Sequence, residues 1–396
     1  SVLPNGLRVG SATLPGRHSA SIGLWIGSGS RHEAMRVAGV AHLVEHMVFK
    51  GTARRSARRI SLDIEGVGGE LNAFTSEDHT CYHAVVPAAR LAGAADVLAD
   101  IFSNARFSAR DCAREKEVIL EEIQMYRENP GQHVEDLLSA VVWPGHPLGR
   151  LITGTPASLA RLGPDDLHAW TQRAHVGANT VIAVASPFSH EEILALLTPL
   201  FGKLPRGARP RTRLFKAGPT SPRVLADTRE IEQTHVALGF RTAGRRHRHR
   251  FALRLLSVAL GETMGSRLFY SLREKRGLCY AVHSETDVFE DTGVFEIYTA
   301  VENGKLEAAL RALSGELARA VSQAPSGKEL AMAKEFTLGQ QALWFESTVN
   351  QMNWVGESLL WHDAIFPEHK VRDKILGVTR DDMAAVAAAV LQPRRA

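Results

Sequence analysis

Cysteine is scarce in this sequence: Cys81, Cys112 and Cys279 are an odd number, widely spaced and without a Cys-x-x-Cys pair. That argues against a disulfide framework and for a reducing compartment, so a cytoplasmic location is expected, with mitochondrial matrix and periplasm left open. Long apolar runs are missing as well. The longest, at 383–391, is well short of the roughly 20 residues a membrane helix needs, and no membrane partner is expected. Nor is there much excess charge, since 47 Lys and Arg against 43 Asp and Glu leave only +4. The densest basic run, 245–250, has no interleaved aromatic residues and reads as a solvated turn or helix start, so nucleic acid is not an expected partner either.

What is present is ample apolar content: 396 residues, 44% hydrophobic, suffice for two sizeable cores. Residues 202–222 hold four prolines and several basic residues without a periodic apolar face. That stretch reads as a linker, so the expected organisation is a first repeat at 1–205, a linker at 206–222 and a second repeat at 223–396. The two flanks look like distant copies. A strand beginning at Ser21 and followed by a Gly/Ser/Arg turn recurs from His235, an offset of 235 − 21 = 214, and Asp165-Asp166-Leu167 recurs as Asp381-Asp382-Met383, an offset of 381 − 165 = 216. Two nearly equal offsets point to duplication.

Strands are expected at 22–26, 71–75, 80–86 and 180–185, then at 234–240, 279–284 and 293–300. Helices are expected at 40–50, 88–103 and 110–128, then at 250–260, 304–321 and 328–347. Short strands mixed with long helices give an α+β fold class: two homologous repeats, each a mostly antiparallel sheet with helices packed on one face.

His42, Glu45 and His46 interrupt the apolar run 40–49 and fall on one face of a helix. Two imidazoles one turn apart can share a zinc ion, and a carboxylate beside them can take a proton from an attacking water. The order His-x-x-Glu-His reverses the commoner His-Glu-x-x-His. A purely structural trio is the alternative, but three polar groups on the inward face of an apolar helix are costly unless paired or metal-bound. A catalytic zinc needs a third protein ligand and an open position, and 114–126 offers Glu115, Glu117, Glu121 and Glu122. Glu122 has Val118 and Ile119 one turn before it and Met125 and Tyr126 one turn after, which places it in an apolar stripe. Glu121, flanked by Glu117 and Gln124, remains the alternative ligand. Glu115 lies two turns upstream of Glu122 on the same face, where it is expected to hydrogen-bond a histidine ligand or help handle protons.

The run from Gly39 through His42, Glu45, His46 and Phe49 to Thr52, with Glu122 following 76 residues after His46, resembles the inverted-motif zinc peptidases of the pitrilysin and insulinase family. Within it, the similarity is to two-repeat members such as the mitochondrial processing peptidase β subunit and its bacterial relatives. The resemblance extends over essentially the whole chain, through Leu3-Pro4-Asn5-Gly6-Leu7, Gly68-Gly69-Glu70-Leu71-Asn72-Ala73-Phe74-Thr75-Ser76, Ser266-Arg267-Leu268-Phe269 and Arg273-Glu274-Lys275-Arg276-Gly277-Leu278-Cys279-Tyr280.

It implies a zinc metalloendopeptidase with one Zn2+ per chain, held by His42, His46 and Glu122, with Glu45 as general base and Glu115 assisting. It implies further that Leu71, Asn72, Ala73, Phe74 and Thr75 form an edge strand binding the substrate peptide, and that Phe49 lines the pocket for the residue after the cleaved bond. Arg273 and Tyr280 would hold the substrate carbonyl and stabilise the oxyanion. Plainer readings stand beside these: an internal strand, a core aromatic, a surface arginine and a core tyrosine. The stretch 255–262, at the zinc helix's place in the second half, has no histidine, so that repeat is expected to be metal-free, and Glu262 departs from the family's glycine-rich pattern there.

Two functions follow from the resemblance. One is an active endopeptidase cutting unfolded peptides or small protein segments in an enclosed chamber; the other is a non-catalytic peptide-binding or structural partner subunit. Such subunits lack zinc-motif residues, and all four are present here. Two repeats make half a chamber, and a chain carrying both the zinc motif and the Arg/Tyr pair is expected to form a homodimer.

Overall fold

The computed structural model describes residues 1–216 and 221–392, so positions 217–220 of the expected linker lie outside the described residues. The described chain forms two compact units. The first comprises Ser1–Met125, Arg150–Arg213 and Trp344–Phe366; the second comprises Tyr126–Gly149, Leu214–Leu343 and Pro367–Ala396, of which 393–396 also lie outside the described residues.

Unit 1 is built on strands β1 (Arg8–Thr13), β2 (Ser19–Ile26), β3 (Glu70–Thr75), β4 (Thr80–Pro87) and β5 (Thr180–Ser186) in the order β1-β5-β2-β4-β3. β1 and β5 run parallel and the other pairs antiparallel. Apolar side chains alternate across the sheet: Ile22, Leu24 and Ile26 face helices α1 (Val40–Met47), α2 (Ala57–Glu65), α3 (Leu91–Asn104) and the unit 1 part of α4 (Ala109–Glu128). β3 pairs only with β4, in register from Glu70↔Val85 to Thr75↔Thr80, and so forms one edge of the sheet.

Unit 2 carries a three-stranded antiparallel sheet of β6 (Gln233–Ala243), β7 (Cys279–Val288) and β8 (Thr292–Glu302) in the order β6-β8-β7. Phe240, Phe295 and Ile297 point into a core shared with the helices Arg250–Ser257, Leu306–Ser322 and Arg380–Val390. The α+β class therefore stands, with mostly antiparallel sheets and helices layered on them.

A single cut at 206–222 does not separate the units, because each takes in a stretch from the other half of the sequence. The reason lies on the second face of each sheet. In unit 1 that face presents Trp25, Cys81, Val181 and Ala183, which the helix Thr348–His362 covers with Met352, Val355 and Leu360. Contact there is close: a Cβ on Gly356 would stand 2.2 Å from Trp25 Nε1. In unit 2 the helix α5 (Pro130–Val142) packs Leu138 and Val142 over β6, where a Cβ on Gly239 would lie 2.9 Å from Leu138 Cδ1. These two helices are offset by 348 − 130 = 218 residues, close to the offsets of the sequence repeats. The front of the expected linker is fastened to unit 1, since Arg31 donates to the Arg213 carbonyl at 2.9 Å and Ala178 N–H to the Arg206 carbonyl at 2.9 Å.

Candidate metal centre

α1 begins where Gly39 adopts φ +92, a left-handed conformation, and where a Cβ would meet the Thr153 carbonyl at 2.7 Å; both features demand glycine. Val40, Ala41, Leu43, Val44 and Met47 are buried, each larger one contributing roughly 1.5–3 kcal/mol by leaving water. This packing holds the helix while its remaining positions, His42, Glu45 and His46, open onto the site.

Glu122 reaches the same place from α4. Its Oε2 lies 3.7 Å from His42 Nε2 and 3.7 Å from His46 Nε2, and the three ligand-capable atoms all fall within 4.8 Å of one another. These approaches are not ion pairs. Burial pushes the His42 imidazole down to about 4, and burial together with neighbouring His42 does the same to His46, so both rings are neutral near pH 7 and present lone pairs. Two neutral imidazoles and a carboxylate match the protein donor set of a catalytic zinc. His42 Nδ1 is buried without a partner, as is Glu45 Oε2. Burial, together with the Glu122 charge, raises the Glu45 carboxyl to about 7 against a hydrogen bond from the Thr75 side chain.

Periodicity singles out Glu122, but the reason it offers is corrected by the structure. Val118 is 47% exposed and Met125 56% exposed, so they form no inward stripe. The buried line on α4 is Cys112, Glu115 and Ile119, and Glu122 continues it three residues on. Glu121 is exposed and outside the cluster. Glu115 is buried and ion-paired with Lys50; of its two expected roles, the hydrogen bond to a histidine is not made by His42 or His46 among the described residues.

The remaining residues sort by unit. In unit 1, Phe49 lies in a short turn past α1, its ring edge-on to Tyr82 at 6.4 Å between centroids. Leu71 and Ala73 of β3 pack against the core, Phe74 meets Trp25 edge-on at 5.6 Å, and Asn72 Oδ1 accepts the Ala73 N–H at 2.8 Å. In unit 2, Arg273 sits in a π-helical turn, Phe269–Glu274, with its guanidinium over the Tyr280 ring at 4.8 Å and the Phe269 ring at 4.7 Å. Gly277, at φ +58, makes the turn that brings the pair together. Glu262 is ion-paired with Arg254. All three cysteines are free, and no described helix is long and apolar enough to cross a membrane.

One residue at the site escapes pattern reading. Glu33 lies outside any regular helix or strand, yet its buried carboxylate accepts the N–H groups of Gly39 and Ala41 at the head of α1. Only its spacing before the glycine could have signalled it.

Comparison with known proteins matches residues 8–156 to the model of insulinase, peptidase family M16, and residues 161–336 to the peptidase M16 inactive domain. A Mycobacterium tuberculosis protein named an uncharacterized zinc protease is 39% identical over 400 residues, covering 100% of this chain and 91% of its own. A Bacillus subtilis protein of the same description is 35% identical, covering 94% of this chain and 89% of its own. Among solved structures, a protease from Helicobacter pylori superimposes with a TM-score of 0.95 at 21% identity, over 100% of this chain and 97% of that one. A peptidase M16 inactive domain from Pseudomonas fluorescens gives 0.88 at 20% identity, over 100% and 95%. The two structures share the fold. On the strength of these matches, and above all of near-full-length relatives above 30% identity, the chain belongs to the M16 family of zinc peptidases.

Proposed function

We propose that this chain is a zinc-dependent endopeptidase in which His42, His46 and Glu122 hold one Zn2+. The observation that carries the reading is the convergence of these three donors within 4.8 Å, both imidazoles neutral, beside a glutamate with a buried, unpartnered oxygen. Zinc bound there supplies Lewis-acid stabilisation of developing negative charge and acidifies water.

Glu45 is the general base: it takes the proton of the attacking water and returns it to the leaving amine nitrogen as the peptide bond breaks. Its burial makes the carboxylate a stronger base than a solvated one. Lys50 holds Glu115, which acts on the site through its charge rather than by touching a histidine. β3 offers substrate its outer edge, where Leu71, Asn72, Ala73, Phe74 and Thr75 bind an extended peptide through backbone hydrogen bonds, so sequence preference is loose and unfolded segments are favoured. Phe49 lines the pocket for the residue after the scissile bond. Arg273 and Tyr280, already stacked on each other, hold the substrate carbonyl and stabilise the oxyanion. Two copies of the chain enclose the substrate as a homodimer.

Metal analysis of the purified protein, with cleavage of a random peptide library before and after chelation, tests this directly. Stoichiometric zinc, chelator-sensitive cleavage and an inactive, zinc-loaded Glu45→Gln variant are expected. A metal-loaded wild type that cuts nothing, or a Glu45→Gln variant with more than a few per cent of activity, would overturn it.

A further inference from the structure

On the outer face of the unit 2 sheet, Glu285 of β7 and Glu296 of β8 are direct cross-strand neighbours, and Glu135 of α5 comes down on them. One carboxylate oxygen from each lies within 4.8 Å of the other two. Like charges facing each other across strands are destabilising unless something neutralises them. No lysine or arginine among the described residues forms an ion pair with any of the three, and Asp287, two residues along β7 on the same face, adds another acid. Arg241, the neighbour across β6 and β8 from Val294, lies over the Phe215 ring at 5.7 Å instead.

Glu296 is only 5% exposed, its Oε1 has no hydrogen-bond partner, and its carboxylate is one of the three that converge. A buried, unpartnered carboxylate aimed at two others is hard to sustain as part of an ordinary solvated acidic patch. Local packing keeps the space available. Gly239, paired with Glu296 on β6, has no side chain to fill it, and α5 approaches closely at that point. The neighbouring Tyr298 hydroxyl is already engaged with His235 Nδ1 at 2.8 Å and so does not neutralise the group.

We propose that Glu135, Glu285 and Glu296 form a second metal site, specific for a hard divalent cation of the Ca2+, Mn2+ or Mg2+ class. The donor set is all oxygen, which suits hard cations and not the histidine-seeking zinc of unit 1. The cation bridges α5 to β7 and β8, tying the segment before residue 150 to the sheet of unit 2. The missing histidine at 255–262 excludes only a copy of the zinc site in the second half; this cluster is on the opposite face of the sheet. Burial and the three neighbouring acids raise the Glu296 carboxyl to about 8, as expected of a site that awaits positive charge.

The test titrates the full-length, zinc-loaded chain with Mn2+, following free Mn2+ by electron paramagnetic resonance and competing with Ca2+. Wild type should show one saturable site beyond zinc, displaced by Ca2+, and a His42→Ala/His46→Ala double variant should keep it. Glu296→Gln should weaken it roughly tenfold or more. Glu135→Gln, altered on α5 outside the sheet, should do the same should Glu296→Gln fail to fold. Unchanged Mn2+ binding in a folded Glu296→Gln or Glu135→Gln variant, loss of the site in the double-histidine variant, or no saturable site up to millimolar Mn2+ would each overturn the proposal. The last result would mean that Glu296 is simply held protonated.

Discussion

Glu33 and Ala41 are joined at the head of the histidine helix: Glu33 Oε1 accepts the Ala41 N–H at 2.8 Å, one residue before His42, while Oε2 accepts Gly39 N–H at the same distance. The carboxylate satisfies N–H groups that a helix start leaves without partners, and it does so inside the core. Glu33→Gln turns one acceptor into an amide donor facing a backbone N–H. It should destabilise the protein by about 1–3 kcal/mol and lower activity by shifting His42, with zinc still bound at saturating metal. Thermal denaturation and zinc titration check this; a variant as stable and as active as wild type would show that the cap is dispensable.

Glu122 and Glu121 are adjacent in sequence but face different surroundings, Glu122 beside two imidazoles and Glu121 in solvent. Glu122→Gln should lower zinc affinity by at least about tenfold, whereas Glu121→Gln should leave it unchanged. Zinc content after dialysis against a weak chelator distinguishes them. The reverse pattern would reassign the third ligand.

These two glutamates also show how far the sequence can be read. The histidine pair and Glu45 were legible because helical geometry alone puts i, i+3 and i+4 on one face. The apolar stripe that points to Glu122 includes exposed Val118 and Met125, since apolar residues on a long helix need not mark its buried side. For Glu115 the spacing along α4 leaves a histidine contact and proton handling both open, and says nothing about Lys50, which arrives from another element. The sheets and the helices on their first faces follow from alternation and periodicity, but the helices that cover their second faces do not. Nothing in 130–142 or 348–362 declares that its apolar side covers a sheet from the other half of the chain. Nor does the sequence declare β1: Arg8–Thr13 alternates weakly and gains its place by pairing with β5.

His175 offers a pH dependence away from the metal. It is buried, stacked on Phe102 at 4.5 Å between centroids with Nδ1 3.2 Å from the Phe102 carbonyl, and burial pushes it down to about 4. A base depressed in the folded state contributes stability that is present above its unfolded value near 6.5 and is lost as pH falls towards 4. That loss is about 3 kcal/mol at most. Denaturant unfolding of wild type between these pH values should therefore show a slope that His175→Gln reduces. Identical slopes would mean that His175 is protonated in both states or in neither.

The last expectation concerns assembly. Arg273 stacks on Tyr280, and Tyr280 is 75% exposed, a large aromatic surface on a residue proposed to touch substrate. The chain carries both this pair and the histidine motif, so a second copy of itself supplies everything a closed site requires, and twofold symmetry is the commonest way for identical chains to associate. In such a dimer the Arg273 and Tyr280 of one copy serve the metal centre of the other. Arg273→Ala and Glu45→Gln homodimers should each be inactive, since each site lacks one group. Once subunits exchange, half of the dimers are mixed, and each mixed dimer pairs an intact Glu45 centre with an intact Arg273 from its neighbour. Activity should then return to about a quarter of the wild-type value. Recovery requires the groups to act between copies, because neither variant chain is whole by itself. No recovery in dimers shown by mass to have exchanged, or a fully active monomer by light scattering, would refute the shared site.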